Sequence, residues 1–141
     1  MIEASRELLA PRADVWSLVA EPYHLPDWWT AYTGVQPDRR GVAENARWRV
    51  IRAQKPGFVT RGGREGWIVL TRVVCGLELA WRDVDEGLEA GVRLANADAG
   101  RTRATVFVAG RWWRLYLEGA RGLPKQAVAR LHDLCQTAAT L

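Results

Sequence analysis

Between Tyr32 and Ala109 the chain consists of short strand-like runs separated by stretches rich in glycine, proline and aspartate, and the last three of these stretches are only two to six residues long. This spacing constrains the fold more than any other feature of the sequence. Connections this short can join antiparallel neighbours, but they cannot hold the crossover helix that parallel strands need. The sequence therefore predicts an antiparallel meander. Its strands are Tyr32–Gln36, Ala46–Ala53, Gly66–Val74, Leu77–Val84, Leu88–Ala95 and Thr102–Ala109.

The segment before this sheet has the pattern of a strand followed by short helices. A strand over Ile2–Leu9 ends at Pro11, a residue well suited to the first turn of a helix. A short helix is predicted over Arg12–Ala20. A second short helix or turn is predicted over Tyr23–Trp29, because Pro22 directly before this range and Pro26 within it both favour helix starts or breaks.

The segment after the sheet predicts a longer helix that begins at Pro124 and carries a wide apolar stripe. The stripe consists of Ala127, Val128, Leu131, Leu134, Cys135 and Ala138. We expect it to pack on the concave face of the sheet, because that face is the only large apolar surface available. Residues Arg111–Ala120 are also predicted to form helical turns.

The period-two alternation of each strand predicts which side chains share the buried face. These residues are Trp48, Val50, Arg52, Glu65, Trp67, Val69, Thr71, Val73, Leu77, Leu79, Trp81, Asp83, Leu88, Ala90, Val92, Leu94, Asn96, Ala104, Val106 and Val108. The pattern leaves open whether Arg52, Glu65 and Asp83 face the interior or lie in solvent at strand ends. A buried Arg52 would need a partner, for which Glu65 and Asp83 are the candidates.

Tryptophan is unusually frequent in this chain. There are eight tryptophans but only two phenylalanines and three tyrosines. Such an excess in a small domain favours an aromatic-lined cavity or an aromatic contact surface. The stretch from Trp67 to Leu70 is apolar on both faces, so covering of its outer side by a second subunit, as in a homodimer, is one alternative.

Composition and motifs exclude several classes of protein. The 141 residues suit one domain, 1–141, and no apolar run approaches the ~20 residues of an integral membrane segment. Without a signal-like N-terminus, and with Cys75 and Cys135 far apart, a cytoplasmic protein with reduced thiols is expected. The net charge is +4, but the basic residues are spread along the chain and interleaved with 16 acidic residues. This distribution argues against nucleic acid as a partner. No catalytic, cofactor-binding or metal-ligand motif is present, so none of these sites is predicted.

The order of strand, two short helices, six strands and long helix resembles the helix-grip fold of the START-like superfamily. That superfamily includes birch-pollen-allergen relatives and the polyketide cyclase/dehydrase family. The local sequence is similar too: SRELLAPRADVWSLVAEPYHLPDWW at 5–29 resembles the opening of that family, with Ala-Pro, Val-Trp and Leu-Pro-x-Trp in order. GLELAWRDV at 76–84, GRTRATV at 100–106 and GLPKQAVARLHDLC at 122–135 resemble its later strands and final helix.

The resemblance implies an α+β fold whose seven-stranded curved antiparallel sheet wraps around the long helix and encloses a cavity for apolar ligands. The residues implied to line that cavity are Trp28, Trp29, Tyr32, Trp48, Arg52, Trp67, Trp81, Val92, Leu94, Trp112 and Tyr116.

Two functions remain open from the sequence. The first is binding or carriage of a hydrophobic or aromatic small molecule, lipid-like or polyketide-like. The second is an aromatase/cyclase or dehydratase acting on a polyketide-like chain, in which Arg52 with Tyr32 or Asp83 would stabilise an enolate or move protons. The sequence does not decide whether the protein is an enzyme.

Overall fold

The structure, a computed structural model, describes residues 1–53, 65–111 and 120–140, and these residues form a seven-stranded antiparallel sheet with helices. The strands are β1 (Ile2–Leu8), β2 (Tyr32–Gln36), β3 (Arg47–Arg52), β4 (Glu65–Val74), β5 (Glu78–Asp83), β6 (Leu88–Asn96) and β7 (Thr102–Ala109). The α-helices are α1 (Arg12–Val19), α2 (Leu25–Trp28) and α3 (Leu123–Thr140). Short 3₁₀ turns lie at Pro22–His24, Asp98–Gly100 and Ala120–Gly122.

The strand order in the sheet is β1-β7-β6-β5-β4-β3-β2. Strands β2 to β7 therefore lie beside their sequence neighbours, and β1 closes the other edge by pairing with β7. This order confirms the predicted meander, and the connections from β4 to β7 are so short that each of these strands pairs with its sequence neighbour. Gly76 and Gly87, in the turns on either side of β5, adopt positive φ angles of 77° and 66° that a side chain would strain.

The long helix α3 packs on the sheet through its apolar side, as the sequence predicted. Its buried side chains are Leu123, Ala127, Val128, Leu131 and Cys135. The helix lies mainly against β1, β7 and α2. The predicted helical turns over Arg111–Ala120, and with them Trp112 and Tyr116, fall almost entirely in residues 112–119, which lie outside the described residues.

The predicted inward faces are confirmed for the central residues of β3, β5, β6 and β7 but wrong for the first half of β4. There Gly66, Ile68 and Leu70 are buried, whereas Trp67 is 48% exposed on the outer face. The alternation could not decide this, because the segment is apolar on both faces. Cross-strand register decides it, since Ile68 lies opposite the buried Trp48 and directly opposed side chains share a face.

Candidate functional site

Four strand ends meet at one end of the sheet and bring polar side chains together in its interior. Because antiparallel neighbours run in opposite directions, the end of β3, the start of β4, the end of β5 and the start of β2 are adjacent. Arg52 and Asp83 are each only 5% exposed, and Tyr32 is 4% exposed. We call Arg52, Asp83, Tyr32, Asp85 and Glu86 the Arg52 cluster.

A buried ion pair forms the centre of the Arg52 cluster. Arg52 Nη2 donates to Asp83 Oδ1 at 2.5 Å. The Tyr32 hydroxyl donates to the other carboxylate oxygen, Asp83 Oδ2, at 2.8 Å. The backbone N–H of Glu86 also donates to Asp83 Oδ1, at 3.2 Å. The Asp83 carboxylate therefore accepts three hydrogen bonds, which offset much of the free energy of removing it from water.

The Arg52 guanidinium contacts three further groups. Its Nη2 donates to Asp85 Oδ2 at 3.2 Å, and its Nη1 donates to the Glu65 carbonyl oxygen at 3.3 Å. Its Nε lies 3.6 Å from Glu86 Oε1, and Glu86 is 4% exposed. Contacts on several sides hold the guanidinium plane in one orientation. Arg52 is thus a rigid part of the interior rather than a mobile side chain at a strand end.

Gly66 provides the space in which this guanidinium lies. A Cβ atom at Gly66 would be 2.2 Å from Arg52 Nη1, so any side chain there would have to displace the guanidinium. Sequence reasoning took Gly66 only as the start of a strand. A glycine inside a strand often marks the close approach of another group, and that signal could have identified it.

Burial and charge set the protonation of the cluster. Burial, together with the negative charge of Asp83 and the hydrogen bond to it, raises the pKa of Tyr32 well above its usual value of 10.0. Burial by itself lowers the pKa of Arg52, but the hydrogen bonds and charges of Asp83, Asp85 and Glu86 outweigh it, so the pKa lies above its usual value. At neutral pH the cluster therefore contains a charged arginine and an uncharged tyrosine.

Three tryptophans pack edge to face beside the Arg52 cluster. Their ring centroids are 6.4 Å apart for Trp28 and Trp29, 5.9 Å for Trp28 and Trp81, and 5.4 Å for Trp29 and Trp81. Helix α2 contributes Trp28 and ends before Trp29, and Trp81 lies two residues before Asp83 on the same face of β5. We call these three residues the tryptophan cluster; each ring is at most 3% exposed.

The indole N–H of Trp28 is buried and has no hydrogen-bond acceptor among the residues that the structure describes. Trp48 differs, because its Nε1 donates to the Gly41 carbonyl oxygen at 2.7 Å. Leaving a buried donor unpaired costs about 1–3 kcal/mol. The tryptophan cluster therefore contains a polar atom whose partner the described part of the chain does not supply.

The structure brings together five of the predicted site residues, namely Trp28, Trp29, Tyr32, Arg52 and Trp81. Trp48, Val92 and Leu94 are also buried and face the interior from β3 and β6, as predicted. Trp67 does not join them, because it lies on the opposite face of the sheet. Trp112 and Tyr116 lie outside the described residues.

Some members of the site were not predicted. The sequence pattern indicates only a turn at Asp85-Glu86-Gly87, although two acidic residues so close to Asp83, a candidate partner of Arg52, were a signal. Of the two partners considered for Arg52, Asp83 is the one that the structure shows paired with its guanidinium. The Glu65 carboxylate instead pairs with Arg49 at 3.1 Å on the outer face.

A separate depression of about 330 Å³ lies on β1, β6 and β7, away from both clusters. Exposed polar side chains line much of it, and several already bond one another: Arg93 pairs with Glu3 at 3.0 Å, and the Ser5 and Thr105 hydroxyls are 2.7 Å apart. It is open and lacks a buried polar group directed at a ligand. We therefore place the candidate site at the two clusters.

Within residues 1–53, 65–111 and 120–140, no group of three or more histidine, cysteine or acidic side chains is arranged to hold a metal ion. None of the helices described there is long and apolar enough to cross a bilayer.

Solved structures share this architecture over nearly the whole chain. Protein NE0264 from Nitrosomonas europaea is 17% identical, with 97% of this chain and 94% of that chain covered and a TM-score of 0.69. Norcoclaurine synthase from Thalictrum flavum, solved with a transition state analogue, is 13% identical, with 98% and 94% covered and a TM-score of 0.66. This chain has the helix-grip fold.

A third similar structure is that of DynU16, a protein of the dynemicin biosynthetic locus. It is 18% identical, with a TM-score of 0.68 over 97% of this chain, and the match spans 47% of DynU16. No protein-family model matches the chain, and no curated protein matches it. At these identities the likenesses concern the fold, and the function has to be argued from the site.

Proposed function

We propose that this chain binds a hydrophobic or aromatic small molecule, lipid-like or polyketide-like, between the inner face of the sheet and α3, in contact with the tryptophan cluster. The observation that carries the proposal is the buried Trp28 N–H without an acceptor. Apolar ligand sites in proteins combine aromatic walls with a few polar groups that fix the orientation of the ligand. The tryptophan cluster and the Arg52 cluster have this composition.

The Trp28 N–H favours a ligand that carries a hydrogen-bond acceptor, such as a ketone, quinone or ester oxygen. Such an oxygen would remove the cost of the unpaired donor, while the rest of the ligand would contact the edges and faces of Trp29 and Trp81. The residue type supports this, because phenylalanine would fill much of the same space without a buried polar atom.

In this proposal the Arg52 cluster forms a rigid wall of the site. Carboxylates and a carbonyl oxygen already engage most of the Arg52 donors, so its main effect is to fix Asp83 and, through Asp83, the ring of Tyr32. A fixed wall lowers the entropy lost on binding, because fewer side chains become ordered when the ligand arrives.

The solved structures with the same fold support the proposal by analogy. Norcoclaurine synthase was solved with a small-molecule transition state analogue, and DynU16 comes from a biosynthetic locus. The first test is native mass spectrometry of the protein purified from its own host. A retained small molecule would identify the ligand class directly.

A pair of probes of matched shape tests the proposal at the Trp28 nitrogen. Fluorenone and fluorene differ by one carbonyl oxygen, and their binding can be followed through the indole N–H signals in a ¹H–¹⁵N spectrum. We expect fluorenone to shift the Trp28 signal downfield and fluorene to leave its hydrogen bonding unchanged. Trp28→Phe should weaken fluorenone binding about fivefold, the value of one ordinary hydrogen bond, with little effect on fluorene.

Trp81→Phe and Trp67→Phe form a matched pair for the location of the site. Both remove one of the eight tryptophans, but only Trp81 lies in the tryptophan cluster. Loss of affinity in Trp81→Phe with unchanged affinity in Trp67→Phe is expected. Equal losses, or no binding of any apolar probe to the wild type, would contradict the proposal.

The second candidate, a cyclase or dehydratase, is favoured by the hydrogen-bonded chain of Tyr32, Asp83 and Arg52 beside the aromatic wall. In the geometry described, the Tyr32 proton is donated to Asp83 and its pKa is raised, so Tyr32 is a poor proton donor to a substrate. Catalysis would require substrate to displace that hydrogen bond. A poly-β-keto analogue decides between the candidates: turnover above buffer that Tyr32→Phe lowers supports an enzyme, and binding without turnover rejects it.

A further inference from the structure

The usual distribution of charged and apolar residues is inverted at the end of the sheet that holds the Arg52 cluster. Ile51, Trp67 and Val84 point outward and are 40%, 48% and 53% exposed. Each is the chain neighbour of a buried residue of the site: Ile51 of Arg52, Trp67 of Gly66, and Val84 of Asp83. The same strand segments therefore place charge inside the sheet and large apolar side chains outside it.

These three side chains form one surface with three arginines. Trp67 lies opposite Arg49 in the β3–β4 register, and the Arg49 guanidinium is 5.9 Å from the centre of the Trp67 ring. On the other side, the Val84 N–H donates to the Trp67 carbonyl oxygen at 3.1 Å. One row further along, Val69 lies between Arg47 and Arg82. We call Ile51, Trp67, Val84, Arg47, Arg49 and Arg82 the outer patch.

The outer patch carries a positive charge that its surroundings only partly balance. Arg49 pairs with the exposed Glu65. Glu89 is the register partner of Arg82, but within the described residues neither the Arg82 nor the Arg47 side chain forms an ion pair. An exposed apolar group flanked by unpaired arginines is complementary to a surface that is apolar and anionic together.

We propose that the outer patch docks on an anionic membrane surface. Tryptophan favours the interface between headgroups and acyl chains, aliphatic side chains such as Ile51 and Val84 gain from burial there, and arginines near an anionic leaflet are attracted to it. The inference goes beyond the proposed function, because it concerns the outer face of the sheet and needs no ligand inside.

Two other occupants fit the outer patch less well. A second copy would bring a second set of three arginines into the same contact, and three apolar side chains are far fewer than the roughly 20–30 residues a side of a stable interface. Single-stranded nucleic acid binds on several aromatic side chains in succession, whereas Trp67 is the one aromatic ring of the outer patch.

Co-sedimentation with lipid vesicles tests the proposal on the whole chain. The probes are vesicles of phosphatidylcholine alone and of phosphatidylcholine with about 30% phosphatidylglycerol, at about 0.1 M and 0.5 M salt. We expect binding to the anionic vesicles that weakens at high salt. Arg47→Glu with Arg82→Glu should lower the bound fraction at least tenfold, and Trp67→Ser should lower it at both salt concentrations.

Matched controls separate docking from net charge and from exposed apolar area. Arg6→Glu with Arg103→Glu reverses two exposed arginines of β1 and β7, and Leu77→Ser removes an apolar side chain that is 41% exposed at the opposite end of β5. Both should bind vesicles as the wild type does, with circular dichroism confirming that every variant folds.

The fluorescence of Trp67 reports directly on docking at the outer patch. Vesicles should shift the emission of the wild type to the blue, and the shift should be lost in Trp67→Phe, which leaves the tryptophan cluster intact.

The proposal is overturned if the wild type ignores anionic vesicles, or if the β1 and β7 control loses binding as fully as the outer-patch variant. It is also overturned if Trp67→Ser instead abolishes a dimer in analytical ultracentrifugation, or abolishes binding to a single-stranded oligonucleotide while vesicle binding is absent.

Discussion

Beneath α3, strands β1, β6 and β7 bury mainly aliphatic side chains, such as Leu8, Val92 and Val106, whereas the ends of β2 to β5 bury an arginine with its carboxylates beside three tryptophans. Each buried aliphatic side chain contributes roughly 1.5–3 kcal/mol to folding through the hydrophobic effect. A buried ion pair contributes little on balance, because its desolvation offsets its attraction.

Folding stability explains the composition of the aliphatic region beneath α3 but not that of the charged region at the ends of β2 to β5. The aliphatic region needs no explanation beyond the packing of a helix on a sheet. Because apolar residues often replace a buried ion pair at no cost in folding free energy, we expect the same of the charged region, and its composition then points to function. The predictions that follow test this difference, beginning with the largest expected effect.

Removing Asp83 should have the largest effect. Asp83→Ala leaves the buried Arg52 without its closest partner and the Tyr32 hydroxyl without its acceptor. We expect a loss of about 4 kcal/mol in the free energy of unfolding, measured with urea. The exposed pair of Arg93 and Glu3 is the control, and Glu3→Ala should cost less than about 1 kcal/mol.

Replacing the whole pair sharpens the same comparison. Arg52→Met with Asp83→Leu, Glu86→Gln and Tyr32→Phe removes the buried charges and the Tyr32 hydroxyl together, so no member of the buried network is left charged without its partner. This variant should leave the free energy of unfolding within about 1 kcal/mol of the wild type. A multiple variant as unstable as Asp83→Ala would mean that the ion pair is itself a main source of stability, and the distinction between the two regions would fail.

In the aliphatic region, Leu131→Ala should cost about 3 kcal/mol, because Leu131 is fully buried on α3 and the change leaves a cavity. Urea unfolding measures the loss, and Leu77→Ala, at an exposed position, is the control. Under conditions where the variant is folded, its affinity for fluorenone should equal that of the wild type. A large loss of affinity would place the ligand against Leu131 in the aliphatic region rather than at the tryptophan cluster.

Gly66→Ala should cost about 2 kcal/mol, because the added methyl group overlaps the Arg52 guanidinium and forces it to move. Gly34→Ala is a matched control in the same sheet, where the new Cβ would lie 3.3 Å from Ile51 Cδ1 and the cost should be below about 1 kcal/mol. A Gly66 variant as stable as the Gly34 variant would show that Arg52 is not held as described.

The smallest expected effect is a pH dependence from Tyr32. The pKa of Tyr32 in the folded protein lies above the unfolded value of 10.0. The stability contributed by the protonated Tyr32 hydroxyl is therefore fully present below pH 10 and is lost as the pH rises toward the folded pKa. The free energy of unfolding should therefore fall above pH 10 by up to about 1.4 kcal/mol per pH unit.

Tyr32→Phe is the control for that pH dependence. This variant should lower the free energy of unfolding by about 1.5 kcal/mol at neutral pH, because the lost hydrogen bond is to a carboxylate. Above pH 10 its free energy of unfolding should fall less steeply with pH than that of the wild type. Absorbance at alkaline pH gives an independent measurement, because the part of the tyrosine titration that Tyr32→Phe removes should lie well above pH 10. If that part instead lies at pH 10, the buried hydrogen bond to Asp83 is contradicted.

The sequence by itself determined the elements and their order. Strand lengths, the short turns between strands and the stripe on α3 are local patterns, and they placed Tyr32–Gln36 and Thr102–Ala109 at the residues where the structure has them. From β4 to β7 an antiparallel meander then follows, because the short connections bring each strand beside its neighbour in the sequence. Parity and the resemblance also placed Trp28 and Trp81 inward, whereas they left the orientation of Arg52 open.

Tertiary structure alone decided the pairings between distant residues. Arg52 and Asp83 are 31 positions apart, and only the alignment of β3, β4 and β5 shows that they meet across Gly66. The same alignment turned Trp67 outward, because a strand that is apolar on both faces has no alternation to fix its orientation and takes it from the register of its neighbours.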